Sequence, residues 1–175
     1  RLLRHYAHNL CLDPGFSVLD RGDSADVMDV VRHEMKLSTK SRRFPKKDTC
    51  LAIYSRCVNA RTSLADALAA TFPWCQDWEA ELRELFRGYV SRKQDSNSLD
   101  YDDLLLYWSH LVAEPEIAAE IGSWFDHVLV DEYQDTNLLQ ADILNAIKPE
   151  GQGLTVVGDD AQSIYSFRAA EVENI

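Results

Sequence analysis

The stretch Val128-Leu-Val-Asp131, continuing as Glu132-Tyr-Gln-Asp-Thr-Asn137, decides the fold, because three apolar residues run straight into paired carboxylates. A second stretch, Leu154-Thr-Val-Val-Gly158 followed by Asp159 and Asp160, repeats that form. Short apolar runs that end in polar residues read as buried strands. Between them, Leu138 to Ile147 has the spacing of an amphipathic helix. Strand, helix and strand in that order predict a crossover unit with parallel strands and a right-handed connection. Two parallel strands rarely stand alone, because such sheets are buried on both faces, so further strands are expected outside this sequence.

Upstream of this unit the pattern is helical to about Ser109, with apolar residues returning every three or four positions. The spacing predicts helices over residues 1–10, 25–37, 46–60, 64–72, 74–94 and 101–111, with a further short one near 115–124. Ser63 with Asp66 forms a candidate capping box, and Pro45 and Pro73 stand where a helix begins. Trp74, Trp78, Leu82, Leu85, Phe86 and Tyr89 make one apolar stripe, which is expected to be core.

Of the 175 residues, 46% are apolar and 27% charged, which supplies a packed core and argues against disorder throughout. The longest apolar runs fall far short of the ~20 residues a membrane-spanning helix needs. Cys11, Cys50, Cys57 and Cys75 lie too far apart for a zinc ribbon or a redox pair, and a reducing, cytoplasmic setting is expected. The chain opens at Arg1 within a helical pattern, so it is expected to be an internal segment of something longer.

The net charge of −11 is unevenly spread: residues 1–93 carry +4 and the remainder −15. Within Arg32 to Lys47, seven cations (Arg32, Lys36, Lys40, Arg42, Arg43, Lys46 and Lys47) face the single acid Glu34. Such a run suits a phosphate backbone, and equally a solvated loop between helices.

The carboxyl ends of strands in an open parallel sheet form the crevice where ligands bind. Acidic pairs converging there repel one another unless a cation lies between them. A hydrated magnesium ion carrying a nucleotide phosphate takes one or two protein carboxylates and keeps several waters, which suits Asp131. Glu132, one residue on, is then placed to accept a proton from an attacking water. The plain structural alternative is that these acids end strands and favour the helix N-termini that follow.

The strings V-L-V-D-E-Y-Q-D-T-N (128–137) and V-V-G-D-D-A-Q-S-I-Y-S-F-R-A-A (156–170) closely resemble motifs II and III of the UvrD/Rep/PcrA group of superfamily 1 DNA helicases. Looser resemblance runs through L-D-Y-D-D-L-L (99–105), R-F-P-K-K (43–47) and R-L-L-R-H-Y-A at the start. The resemblance implies that Asp131 holds the magnesium of Mg-ATP and Glu132 orients and deprotonates the hydrolytic water. It implies that Gln162 senses the γ-phosphate, that Tyr165 and Phe167 meet bases of single-stranded DNA, and that Arg168 sits where nucleotide and DNA sites join. The cofactors implied are ATP and Mg2+. The partners implied are single-stranded DNA and duplex junctions, with DNA repair as a setting. Asp100, Asp102 and Asp103 read as helix N-terminal charges with no catalytic role.

The sequence departs from the family pattern in two places. Ala169-Ala170 replaces the usual Gly-Ala after the arginine. A G-x-x-x-x-G-K-[S/T] loop is absent: Gly153 and Gly158 have its glycine spacing, but Asp159 and Asp160 follow, and carboxylates there repel phosphate. The second motor lobe, with its arginine fingers, is absent too. The expected fold is therefore α/β. A predominantly helical accessory subdomain is expected over residues 1–111, and part of a parallel-sheet P-loop NTPase (RecA-like) lobe over 112–175. The expected activity is that of an ATP-dependent DNA helicase in the longer parent, with the segment alone inactive. A non-catalytic DNA- or protein-binding module is the alternative, and a metal-dependent nuclease using Asp131, Glu132 and Asp159 is a third.

Overall fold

The computed structural model describes residues 1–37 and 43–159. They form two compact units, one of residues 15–103 and one of residues 1–14 with residues 104 onward. No helix among the described residues is long and apolar enough to cross a membrane.

The unit of residues 15–103 is helical. Helix α2 (Arg21–Glu34) starts four residues before the apolar spacing suggests, because Asp20 and Asp23 make a reciprocal capping box; the Asp23 N–H donates to Asp20 at 2.8 Å. Helix α3 (Lys47–Asn59) follows, then α4 (Leu64–Thr71), whose first turn is capped by the Ser63 hydroxyl accepting from the Asp66 N–H at 3.1 Å. A 3-10 turn over Pro73–Trp78 leads into α5 (Glu79–Asp95). The core between them is apolar, including Met28, Ile53, Leu68, Leu82, Leu85 and Tyr89, all fully buried. At Gly88 a methyl group would lie 2.7 Å from Val31 Cγ1, so the glycine sets how closely α2 and α5 pack.

The stripe expected along α5 is interrupted at its start. Trp78, Leu82, Leu85 and Tyr89 are buried, but Trp74 is 69% exposed, contrary to the expectation that it is core. The cause is the 3-10 geometry of Pro73–Trp78: about three residues per turn instead of 3.6 rotates Trp74 off the face that Trp78 continues.

This unit also contains a two-residue parallel pairing, β1 (Ser17–Val18) with β2 (Ser98–Leu99), too short to show alternation in sequence. It delivers the chain to α6 (Tyr101–Val112), which opens on a second reciprocal cap: the Asp103 N–H donates to Asp100 at 2.8 Å and the Asp100 N–H to Asp103 at 3.0 Å. Lys93 is 2% exposed and bonds both carboxylates at 2.6 Å, with its ammonium 4.4 Å from the Tyr89 ring centroid. The Tyr89 hydroxyl donates to Asp100 at 2.7 Å. Burial, with the Asp100 charge second, holds the Asp103 carboxyl above its ordinary range. Burial likewise raises Asp102, which accepts from Asn59 at 2.7 Å and Ser55 at 3.1 Å. These aspartates are thus helix-start charges, as their spacing suggests, and Lys93 is their buried counter-ion.

In the second unit, the start of the chain is split between α1 (Leu2–His5) and a 3-10 turn over Ala7–Leu10. Tyr6 stacks on Trp124 with ring centroids 6.1 Å apart, beside α7 (Pro115–Ser123). Helix α7 packs on α8 (Leu138–Ile147) so closely that a methyl group on Gly122 would overlap the Ile147 carbonyl. Strands β3 (Val128–Val130) and β4 (Leu154–Val156) pair in parallel, with α8 crossing between them. The strand–helix–strand reading therefore holds, and the chain is α/β with small parallel sheets. Leu129 is 75% exposed and Val157 59%, so this two-stranded sheet leaves apolar surface uncovered.

Candidate nucleotide site

The register of β3 and β4 pairs Val128 with Leu154, Leu129 with Thr155 and Val130 with Val156. Their pairing continues past the strand ends: the Val157 N–H donates to Val130 at 2.8 Å, and the Tyr133 N–H to Val157 at 2.9 Å. Those two bonds set Asp131 and Glu132 beside Val157, Gly158 and Asp159. The backbone that follows the two strands, Asp131–Glu132 on one side and Gly158–Asp159 on the other, is thereby brought together at one end of the sheet.

Glu132 occupies the left-handed region, at φ 53° and ψ 45°. A side chain there costs roughly 1–2 kcal/mol, and such strain persists only where surrounding bonds over-determine it. Two are evident. The Glu132 N–H donates to Asp131 Oδ1 at 3.0 Å, and the Glu132 carboxylate accepts from Gln134 Nε2. Downstream, Asn137 and Gln140 form a reciprocal cap that starts α8, with both bonds at 3.0 Å, which fixes the exit of the 133–137 segment.

Gln134 is the residue that sequence reasoning missed. Its side chain is 1% exposed and bridges the two strand ends, since its Oε1 accepts from the Asp159 N–H at 3.0 Å while its Nε2 holds Glu132. A methyl group on Gly158 would lie 2.7 Å from that same Oε1, so glycine is needed for the amide to reach Asp159. The signal in the sequence is the glutamine two residues after the acidic pair. It is an amide where a plain turn calls only for a small polar residue.

Asp131 and Glu132 are exposed, and no hydrogen bond fills Asp131 Oδ2 among the described residues. A carboxylate with one oxygen braced and one open suits a hydrated divalent cation that takes a single protein ligand. No trio of His, Cys, Asp or Glu side chains among the described residues is gathered as a metal cluster, so Asp131, Glu132 and Asp159 do not make the three-carboxylate centre that a nuclease reading needs. Gln162, Tyr165, Phe167 and Arg168 lie outside the described residues, as does Asp160.

The model of the UvrD/REP helicase N-terminal domain matches residues 1–175. The chain belongs to that family. An ATP-dependent DNA helicase PcrA from Leuconostoc citreum is 31% identical over 176 residues, covering all of this chain and 23% of that protein. Proteins of the same name from Staphylococcus aureus strain Mu50 and Staphylococcus epidermidis are each 30% identical over 178 residues, again with 23% of their length covered. The chain thus spans about a quarter of the curated relatives it matches, and within the UvrD/REP family it corresponds to an N-terminal portion.

Proposed function

We propose that this chain is the part of an ATP-dependent DNA helicase that carries the water-activating half of the ATP site, with the helical unit as its accessory subdomain and the β3–β4 unit as part of a RecA-like lobe. The observation that carries this reading is the bracing of Asp131 and Glu132 at the end of a parallel crossover, with Glu132 held in a strained conformation. The uncovered apolar face of β3–β4 supports placement within a larger sheet.

In this reading Asp131 holds the magnesium of Mg-ATP, which supplies neutralisation of the phosphate oxygens as charge develops on them. Glu132 orients a water and takes its proton. Gln134 keeps the Glu132 carboxylate aimed and ties it to the strand end at Asp159. Gln162 reads the γ-phosphate, Arg168 stands at the joint between nucleotide and DNA, and Tyr165 and Phe167 stack on bases of single-stranded DNA near duplex junctions. Stacking on an aromatic contributes ~1–3 kcal/mol per base and accepts any sequence, which suits a motor stepping along arbitrary DNA.

These 175 residues include no G-K-[S/T] loop, so the segment alone cradles no phosphates and is expected not to turn over ATP. The test compares the segment with a longer chain that supplies such a loop. The segment should release no phosphate from Mg-ATP. The longer chain should hydrolyse ATP and lose turnover on Glu132→Gln. Magnesium-dependent hydrolysis by the segment, abolished by Glu132→Gln, overturns the half-site reading.

A further inference from the structure

The basic run Arg32 to Lys47 finds no use in the nucleotide site, and the helical unit shows which of its members are engaged. Arg32 pairs with Asp29 at 2.7 Å and Lys47 with Asp26 at 2.5 Å. Arg43 and Lys46 are exposed and have no ion pair among the described residues. Both line a pocket of about 230 Å³ whose walls include Phe44, Pro45, Thr49, Trp74, Cys75 and Trp78. Its floor is fixed: Phe44 is 4% and Trp78 9% exposed, and their rings meet edge to face at 5.3 Å. Its rim is Trp74, 69% exposed and steadied by an edge-to-face contact with Phe72 at 5.8 Å.

An exposed indole beside a rigid aromatic pair, flanked by two cations that have no ion pair among the described residues, matches the chemistry of one nucleotide: a flat base to stack and a phosphate to neutralise. At roughly 30 Å³ per water, the pocket holds about seven or eight waters, a size for a single planar ring system and not for a helix. The alternative for an exposed tryptophan, burial against another protein, leaves both cations unanswered unless that partner is acidic.

We propose that Trp74, Arg43 and Lys46 form a single-stranded DNA subsite on the helical unit, with one base stacked on Trp74 and its phosphate held by the two cations. The proposal rests on the DNA-dependent reading above but uses none of the motor residues. It assigns the helical unit a strand contact of its own, separate from Tyr165 and Phe167.

The test is anisotropy of a labelled oligothymidine titrated with the 175-residue chain, with circular dichroism confirming that each variant folds. Trp74→Ala should weaken binding about 5- to 150-fold, as the stacking energy of one base implies, and Trp74→Phe should recover most of it. Arg43→Gln with Lys46→Gln should make the dependence of log K on log salt shallower by about 0.7, the contribution of one phosphate contact on a single strand. Wild-type-like binding by the Trp74→Ala chain overturns the subsite. So does a loss of binding that follows Phe167→Ala alone, a result that leaves the motor reading intact. If the wild-type chain binds no oligothymidine, the subsite is refuted, and the motor reading still stands or falls on ATP hydrolysis.

Discussion

Replacing Lys93 with methionine removes one ammonium from a site where two carboxylates, 3% and 8% exposed by residue, depend on it. Methionine keeps the volume and the contact with the Tyr89 ring, so packing changes little. What remains is a pair of buried aspartates with the Tyr89 hydroxyl and two backbone N–H groups as their donors. Breaking a buried pair in this way costs about 3–5 kcal/mol. For a chain of this length that lowers Tm by roughly 6–20 °C, at 2–4 °C per kcal/mol. The pH dependence has a definite sign. Asp103 already holds its proton more tightly folded than unfolded, and Lys93 is among the groups that lower it. Removing Lys93 raises the carboxyl further, so the folded variant binds protons that the unfolded chain does not, and its stability increases as pH falls. Urea unfolding of both chains should show the largest deficit at pH 7–8 and a smaller one near pH 5. Adding Asp103→Asn to Lys93→Met should recover part of the loss, because one of the two stranded charges is gone. A deficit under 1 kcal/mol at neutral pH, or one that widens on acidification, refutes the argument.

Three further outcomes follow from the geometry. Asp102→Asn should flatten the pH dependence of stability: Asp102 titrates above its ordinary range in the fold, so its ionised form opposes folding as pH rises, and asparagine has no such loss. Urea midpoints should favour the variant increasingly as pH rises above the ordinary carboxylate range. Gln134→Leu should cost about 0.5–1.5 kcal/mol by removing the bond to the Asp159 N–H, and amide hydrogen exchange at Asp159 should accelerate. Gly153→Ala should lower Tm, because Gly153 has φ +71° and a methyl group there would lie 2.5 Å from the Asp126 carbonyl oxygen; thermal unfolding measures it.

Long periodic segments and strand-end motifs were legible in the sequence, and features set by tertiary contacts were not. Helices α3, α4, α6 and α8 fall within a residue or so of their apolar spacing, since each is long enough for the period to repeat and several open on a readable cap. Helix α2 was read late because Arg21 to Ser24 is polar, although the Asp20–Asp23 cap marks the true start. The β1–β2 pairing has two residues per strand, too few to show a period. Lys93 looks in sequence like any cation near a helix C-terminus. Its burial depends on β2 returning Asp100 and Asp103 to it. Trp74 shares a helical stripe with Trp78 on paper, and a single 3-10 turn separates their fates. At the candidate nucleotide site the acidic pair stands out in sequence because it follows directly on an apolar strand run. The Gln134 bridge was not, because it joins residues 25 positions apart that only the register of β3 on β4 brings together.

The most direct test of the account is single-turnover ATP hydrolysis, alongside equilibrium binding of a fluorescent ATP analogue, in a longer chain that contains these residues and a phosphate-binding loop. Glu132→Gln should retain nucleotide binding and lose hydrolysis by at least the ~100-fold typical of removing a general base. Hydrolysis at the unsubstituted rate by the Glu132→Gln protein would contradict the assignment of this strand end as the catalytic half of an ATP site.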